Sequence, residues 1–138
     1  MSNRDDLNRQ VVAEFRANGG EMGGRHTGAP ILLLHSIGAR TGQTRVNPLM
    51  YQAVGDSFAI FATKGGAPTN PGWYHNLVAN PRATVEVGAE TIEVTARAAR
   101  SDERGPIWTR QKELYPVFAE YESRTSRQIP VIILERAR

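Results

Sequence analysis

The sequence predicts a mainly β fold with peripheral helices, because short runs of branched and aromatic residues recur between turn-forming pairs and helical stripes lie chiefly at the N-terminus and in the last third. Roughly six strands joined by short turns, with helices between and after them, suit a small, mostly antiparallel barrel. At 138 residues there is room for one ordinary domain, and 40% hydrophobic against 22% charged residues is an ordinary globular composition. A domain of this length buries roughly two-thirds of its unfolded surface, so folding requires neither a cofactor nor a covalent staple.

The first element is a helix. Leu7, Val11 and Phe15 recur at helical spacing behind Asp5 and Asp6, whose charges favour a helix N-terminus, and Asn18-Gly19-Gly20 stops it. Residues 1–20 are thus expected as an N-terminal helical unit and residues 21–138 as the barrel domain. The glycine-rich stretch Gly19–Gly28 reads as a connection that leaves the helix free to move.

Strands are expected at Ile31–His35, Val46–Val54 and Phe58–Thr63, with turns at Gly38–Thr44 and Gly55-Asp56, the pattern of an antiparallel meander. Asn70-Pro71 reads as an N-cap followed by proline at the first helical position, with Trp73, Tyr74 and Leu77 as apolar contacts and Asn80-Pro81 as the stop. Ala83–Val87 and Thr91–Ala98 follow as strands joined by Gly88-Ala89-Glu90. Ser101 is the expected cap of a helix running to about Tyr115, with Asp102 and Glu103 at its positive end. Pro116 interrupts it, a short helical piece carries Phe118 and Tyr121, and Pro130–Glu135 closes the chain as an apolar strand.

With no cysteine, disulfides, thiolate nucleophiles, iron–sulfur clusters and cysteine zinc sites are excluded together. His26, His35 and His75 lack metal-ligand spacing and there is no G-x-S-x-G, which argues against metal and hydrolase chemistry. Met1–Asn18 is charged throughout, and no apolar run approaches the roughly 20 residues of a membrane span, so a cytoplasmic location is expected. The net charge of +3 favours anionic partners: a nucleic acid, an acidic lipid surface or an anionic cofactor.

Four segments carry chemistry. Gly38 to Arg45 offers backbone N–H groups, a hydroxyl and two guanidiniums, suited to carboxylate or phosphate, although a solvated hairpin turn has the same composition. Thr63-Lys64-Gly65-Gly66 can form an anion-binding nest, or serve merely as a flexible loop; it lacks the order of a P-loop. Asn70 to Leu77 gathers aromatic and amide groups, where Trp73 suits either ring stacking or core packing. Tyr115, Phe118 and Tyr121 recur every third residue, a spacing that packing also explains. Without a protein nucleophile, hydride transfer fits best, because the coenzyme does the redox chemistry and the protein binds, orients and excludes water.

In order, Gly38 to Leu49, Lys64 to Gly66, Asn70 to Pro81, and Tyr115-Pro116 with Ile129-Pro130 resemble the motifs of the deazaflavin-dependent nitroreductase family. The resemblance implies a split β-barrel like the FMN-binding split barrel, binding coenzyme F420, an 8-hydroxy-5-deazaflavin with a phosphate and a lactyl-oligoglutamate tail. It places the tail at Arg40, Thr41 and Gly42 with Arg45 nearby, and the phosphate at Thr63, Lys64 and Gly65. It puts Trp73, Asn47, Pro48 and Tyr51 beside the deazaflavin, and Tyr115, Tyr121 and the N-terminal segment on the acceptor side, the tyrosines as proton donors. Ala39 stands where a basic residue is common, and Phe118, on the substrate side, where the nitroimidazole-activating member has tyrosine.

The implied reaction is hydride transfer from the reduced deazaflavin to a small electron-poor acceptor: a quinone, a nitroaromatic or an α,β-unsaturated carbonyl compound. The competing readings are an FMN-binding split-barrel oxidoreductase, a non-enzymatic deazaflavin carrier, and a basic barrel binding single-stranded nucleic acid through its aromatics.

Overall fold

The computed structural model describes residues 3–22 and 28–137, with side chains from Leu7 onward. The side chains of Asp5 and Asp6, and the centre of the glycine-rich connection with His26, lie outside the described residues.

Helix α1 spans Asn3–Ala17, followed by strands β1 (Ile31–Ile37), β2 (Thr44–Val54) and β3 (Ser57–Phe61). A 3-10 turn at Lys64–Gly66 leads into α2 (Gly72–Ala79), then β4 (Arg82–Val87), β5 (Glu90–Ala98), α3 (Ser101–Leu114), α4 (Val117–Ser123) and β6 (Val131–Arg136). The strands close an antiparallel barrel in the order β1-β2-β3-β6-β5-β4. The expected mainly β barrel with peripheral helices is therefore the observed architecture.

Strand alternation sorts the apolar residues into layers, since successive side chains take opposite faces. Leu32 and Leu34 of β1, Phe58 and Ile60 of β3, and Ile132 and Leu134 of β6 fill the interior, which Trp73 and Leu77 of α2 plug. Their neighbours face outward: Ala59, Phe61, Val131 and Ile133 meet Ile107, Trp108 and Phe118 of α3 and α4. Leu33 meets Phe15 of α1 together with Met22. These strands are apolar on both faces because helices cover their outer sides.

Several boundaries differ from the expected ones. Pro71, not Asn70, is the N-cap of α2, because the Asn70 amide oxygen instead accepts from Arg127 Nη1 at 2.7 Å. Arg100 caps α3, its N–H held by the Glu103 carboxylate at 2.9 Å, so Ser101 is the first helical residue and Gly105-Pro106 lies inside the helix. The third strand stops at Phe61, because the Thr63 N–H bonds the Phe61 carbonyl at 2.9 Å and turns the chain away.

That early stop positions the site. β2 pairs with β1 along Thr44–Met50, but with β3 only from Tyr51 onward. The first part of β2 therefore has one edge without a neighbouring strand. Pro48 lies in that part, where its missing N–H costs no ladder bond.

Candidate functional site

A cleft of about 1410 Å³ opens where β2 runs past the end of β3. Its floor is Val46, Asn47, Pro48 and Leu49; one wall is α1, and the opposite side is Phe61, Thr63, Lys64 and the start of α2 with Trp73. The β1–β2 turn, with Arg40 and Thr41, closes one end. Two segments expected from the sequence to hold anions, one at each strand end, thus meet across a single cavity.

The electrostatics are one-sided. Arg9, Arg16, Arg40, Arg45 and Lys64 line the cleft, and among its described lining residues there is no carboxylate. A chain with a net charge of only +3 has therefore gathered five of its 17 lysines and arginines around one cavity. Low-dielectric walls lined by one sign of charge concentrate anions.

Each turn is locally determined. The β1–β2 turn is tied by the Gly38 N–H to the Gln43 carbonyl at 2.7 Å and the Gly42 N–H to the Gly38 carbonyl at 2.9 Å. Thr41 Oγ1 accepts from the Gln43 N–H at 3.2 Å, and a Cβ at Gly38 would stand 2.8 Å from that hydroxyl. Asn76 of α2 fixes the turn from outside: its Oδ1 accepts from the Ala39 N–H at 2.9 Å and its Nδ2 donates to Ser36 Oγ at 3.2 Å. The position with no basic side chain thus supplies the backbone donor that docks α2.

The Lys64 turn is strained. Lys64, Gly65 and Gly66 all have positive φ (46°, 63° and 84°), and Lys64 is the lone non-glycine residue of this kind among those described. Its Nζ donates to Thr69 Oγ1 at 3.2 Å. Thr63 before it is right-handed (φ −75°, ψ −43°), and a right-handed residue followed by a left-handed one turns successive N–H groups toward one concavity, the geometry of an anion nest.

α1 is anchored by Phe15, 1% exposed, and by a polar clamp. Glu86 of β4 accepts from Arg16 Nη2 at 2.8 Å and from His35 Nε2 at 2.5 Å. The Arg16 hydrogen bond is the main reason the Glu86 carboxyl is held below its ordinary range, with His35 adding to it.

Of the residues singled out from sequence, Arg40, Thr41, Arg45, Asn47, Pro48, Thr63, Lys64 and Trp73 line the cleft. Gly42 and Gly65 shape its two turns without lining it. Tyr51 packs instead against the barrel interior, edge-on to Phe58 at 5.5 Å, and burial pushes its phenol upward. Trp73, 6% exposed, belongs to both the interior and the cleft, so its two sequence readings coexist. Phe118, 7% exposed, is enclosed by Phe61, Trp108 and Tyr121 at ring distances of 5.6, 6.2 and 5.5 Å. Tyr115 and Tyr121 are half-buried against the same cluster, outside the cleft lining.

The sequence placed the N-terminal segment at the site, but sequence reasoning missed its Arg9 and Arg16, and Arg127. Arg9 and Arg16, seven apart with Val12 and Ala13 between, share a helical face beside the apolar stripe, so the signal was present. Arg127 gave no signal, because its partners lie about 60 residues away in sequence.

No group of histidines and acids able to hold a metal occurs among the described residues, and no described helix is long and apolar enough to cross a membrane. The family model described as F420H(2)-dependent quinone reductase matches residues 7–136. An F420H(2)-dependent quinone reductase of Mycobacterium tuberculosis is 42% identical over 130 residues, covering 90% of this chain and 86% of that protein. A solved F420-H2 dependent reductase is 41% identical, with a TM-score of 0.70 over 77% of this chain and 94% of its own. A solved domain-swapped dimer is 38% identical, with a TM-score of 0.72 over 97% of this chain and all of its own.

Proposed function

Because the chain belongs to the F420H(2)-dependent quinone reductase family, we propose that it is an oxidoreductase that binds reduced coenzyme F420 in the basic cleft and reduces quinones. The observation that carries this reading is the donor set: five cationic side chains, of which Arg16 is paired with Glu86 outside the lining, and no carboxylate in the described lining of a cavity with an aromatic wall. A planar ring with a phosphate and a polyanionic tail matches that set. The relatives' names specify F420H2; FMN, left open by the sequence, gains no support from them.

When bound, the coenzyme supplies the hydride. The chain's residues bind, orient and exclude water. Lys64 and the left-handed turn beside it hold the phosphate, with Thr63 and Gly65 on either side. Arg40 and Arg45, with Thr41 and Gly42 in the turn, take the carboxylates of the tail, and Arg9 and Arg16 face them from α1. Trp73, Asn47 and Pro48 form the surface against the ring, which Tyr51 supports from the barrel side. α1, the helix of the N-terminal unit expected over residues 1–20, serves as a detachable wall held by Phe15 and Glu86.

Reduction of a quinone to a hydroquinone consumes one hydride and one proton. We assign the acceptor side to Tyr115 and Tyr121, whose phenols can donate the proton, with Phe118 packing behind Tyr121 as the apolar backing of that wall. Nitroaromatics and unsaturated carbonyl compounds are alternative acceptors for the same geometry.

The test is titration with oxidised and reduced coenzyme at moderate salt, followed by an acceptor screen. Saturable micromolar or tighter binding and quinone turnover are expected. Saturable FMN binding in place of the deazaflavin would overturn the assignment.

A further inference from the structure

We propose that Arg127 is the positioning residue of the Lys64 loop: it holds that loop in the shape that binds phosphate and lends it a positive charge from beneath. This rests on the coenzyme assignment above. The guanidinium of Arg127 makes four hydrogen bonds along one stretch of chain. Nη2 donates to the carbonyls of Ala62 at 3.1 Å and Thr63 at 2.9 Å, Nε to that of Ala67 at 2.9 Å, and Nη1 to the Asn70 side chain at 2.7 Å. These acceptors bracket Lys64, Gly65 and Gly66, the three consecutive residues with positive φ.

Two facts give the arrangement its consequence. Strained backbone persists only where its surroundings over-determine it, and the left-handed lysine is such a strain. Arg127 spans the strained turn with a rigid planar fork, a geometry that a lysine ammonium does not have. All four acceptors are also neutral oxygens, so the guanidinium charge is not cancelled by a bonded carboxylate and adds to that of Lys64.

The neighbouring chain completes the clamp. A Cβ on Gly66 would lie 2.7 Å from the Tyr121 carbonyl and 2.8 Å from Arg124 Cβ, so α4 presses directly on the turn. Arg124 Nη1 reaches the Gly65 carbonyl at 3.4 Å. The chain from Tyr121 to Arg127 therefore joins the acceptor-side tyrosine to the loop assigned to the phosphate.

The experiment compares wild type with Arg127→Gln and Arg127→Lys on two ligands, the full coenzyme and its ribityl deazaflavin core without phosphate or tail. Hydrogen exchange of residues 62–70 is followed without ligand. Both variants should exchange faster in that segment with β1 and β4 unchanged, and should bind the coenzyme about tenfold or more weaker while core binding stays within about twofold. Asn70→Ala, which removes one acceptor, should give a smaller loss of the same selectivity and covers the case that the arginine variants do not fold. Equal weakening of both ligands, unchanged coenzyme affinity, or full rescue by lysine would overturn the positioning role. A wild-type protein that binds neither ligand would instead overturn the coenzyme assignment, and this role with it, whatever the loop exchange shows.

Discussion

Replacing Lys64 by glycine should separate what this residue costs the fold from what it gives the site. At φ 46° a residue with a Cβ is strained by roughly 1–2 kcal/mol, which glycine removes. Glycine returns roughly 0.5–1 kcal/mol as extra freedom of the unfolded chain. The exposed Nζ bond to Thr69 Oγ1 at 3.2 Å disappears as well, a net loss of at most roughly 0.5–1.5 kcal/mol. The three terms nearly cancel, so stability should change by less than about 1 kcal/mol, or about 4 °C in the thermal midpoint of a chain this size. Coenzyme affinity should behave differently, because a charged hydrogen-bond partner of the phosphate is lost, worth roughly 1.5–3 kcal/mol or about 10- to 150-fold in Kd. Lys64→Ala keeps the strain and loses the bond, so it should be less stable than Lys64→Gly while binding equally poorly. Circular-dichroism melts and fluorescence titration of the three proteins decide. A glycine variant that melts more than about 8 °C lower and binds coenzyme as well as wild type would show that the lysine is structural and that the phosphate is held elsewhere.

Arg40→Ala should weaken coenzyme binding by an amount that grows with the number of glutamates in the tail and shrinks at high salt; a loss independent of tail length would move the tail away from the β1–β2 turn. Phe118→Ala should cost about 3–5 kcal/mol in a denaturant titration, because the ring is enclosed by three others; a cost under about 1 kcal/mol would mean the ring is not buried in solution. The Arg97 guanidinium and the Arg100 N–H hold Glu103 at about 2, below its ordinary 4.5. A lowered carboxyl stabilises the fold fully above its unfolded value, so that contribution should fade as pH drops from 4.5 toward 2, and Glu103→Gln should remove part of the acid loss. If both proteins lose midpoint equally over that range, Glu103 does not carry the effect.

The strands and helices were legible because their signals are local. Branched residues on the strands flanking Gly55-Asp56 and Gly88-Ala89 alternate between faces, and Leu7, Val11 and Phe15 can only face one way on a helix. The two basic turns at the cleft were legible for the same reason, since glycine and a cation adjacent in sequence remain adjacent in space. Asn70 was misread as a cap because its competing partner, Arg127, is remote in sequence, and a remote charged donor outweighed a local N–H. The barrel's closure and the docking of α1 through Glu86, 70 residues from Arg16, likewise depend on pairings that no window of sequence contains. The tyrosine-bearing helix was found, but its depth was not: periodicity places Phe118 on a face, and only tertiary packing shows that the face is covered.

The unmatched edge of β2 has a consequence beyond the cleft it opens. A row of free strand N–H and C=O groups beside an open cleft is a template on which another polypeptide strand can add itself, the usual first step of edge-to-edge association. Val46 and Pro48 sit on the outward half of the ladder there, because the Tyr51 N–H bonds back to the Pro30 carbonyl and fixes the alternation. At the second of those two positions an incoming strand meets a proline ring and no donor, and Arg45, next to Val46 at the first, repels a basic intruder. A sheet left unzipped along one side of a cleft thus carries its own stopper against being zipped up by a neighbour.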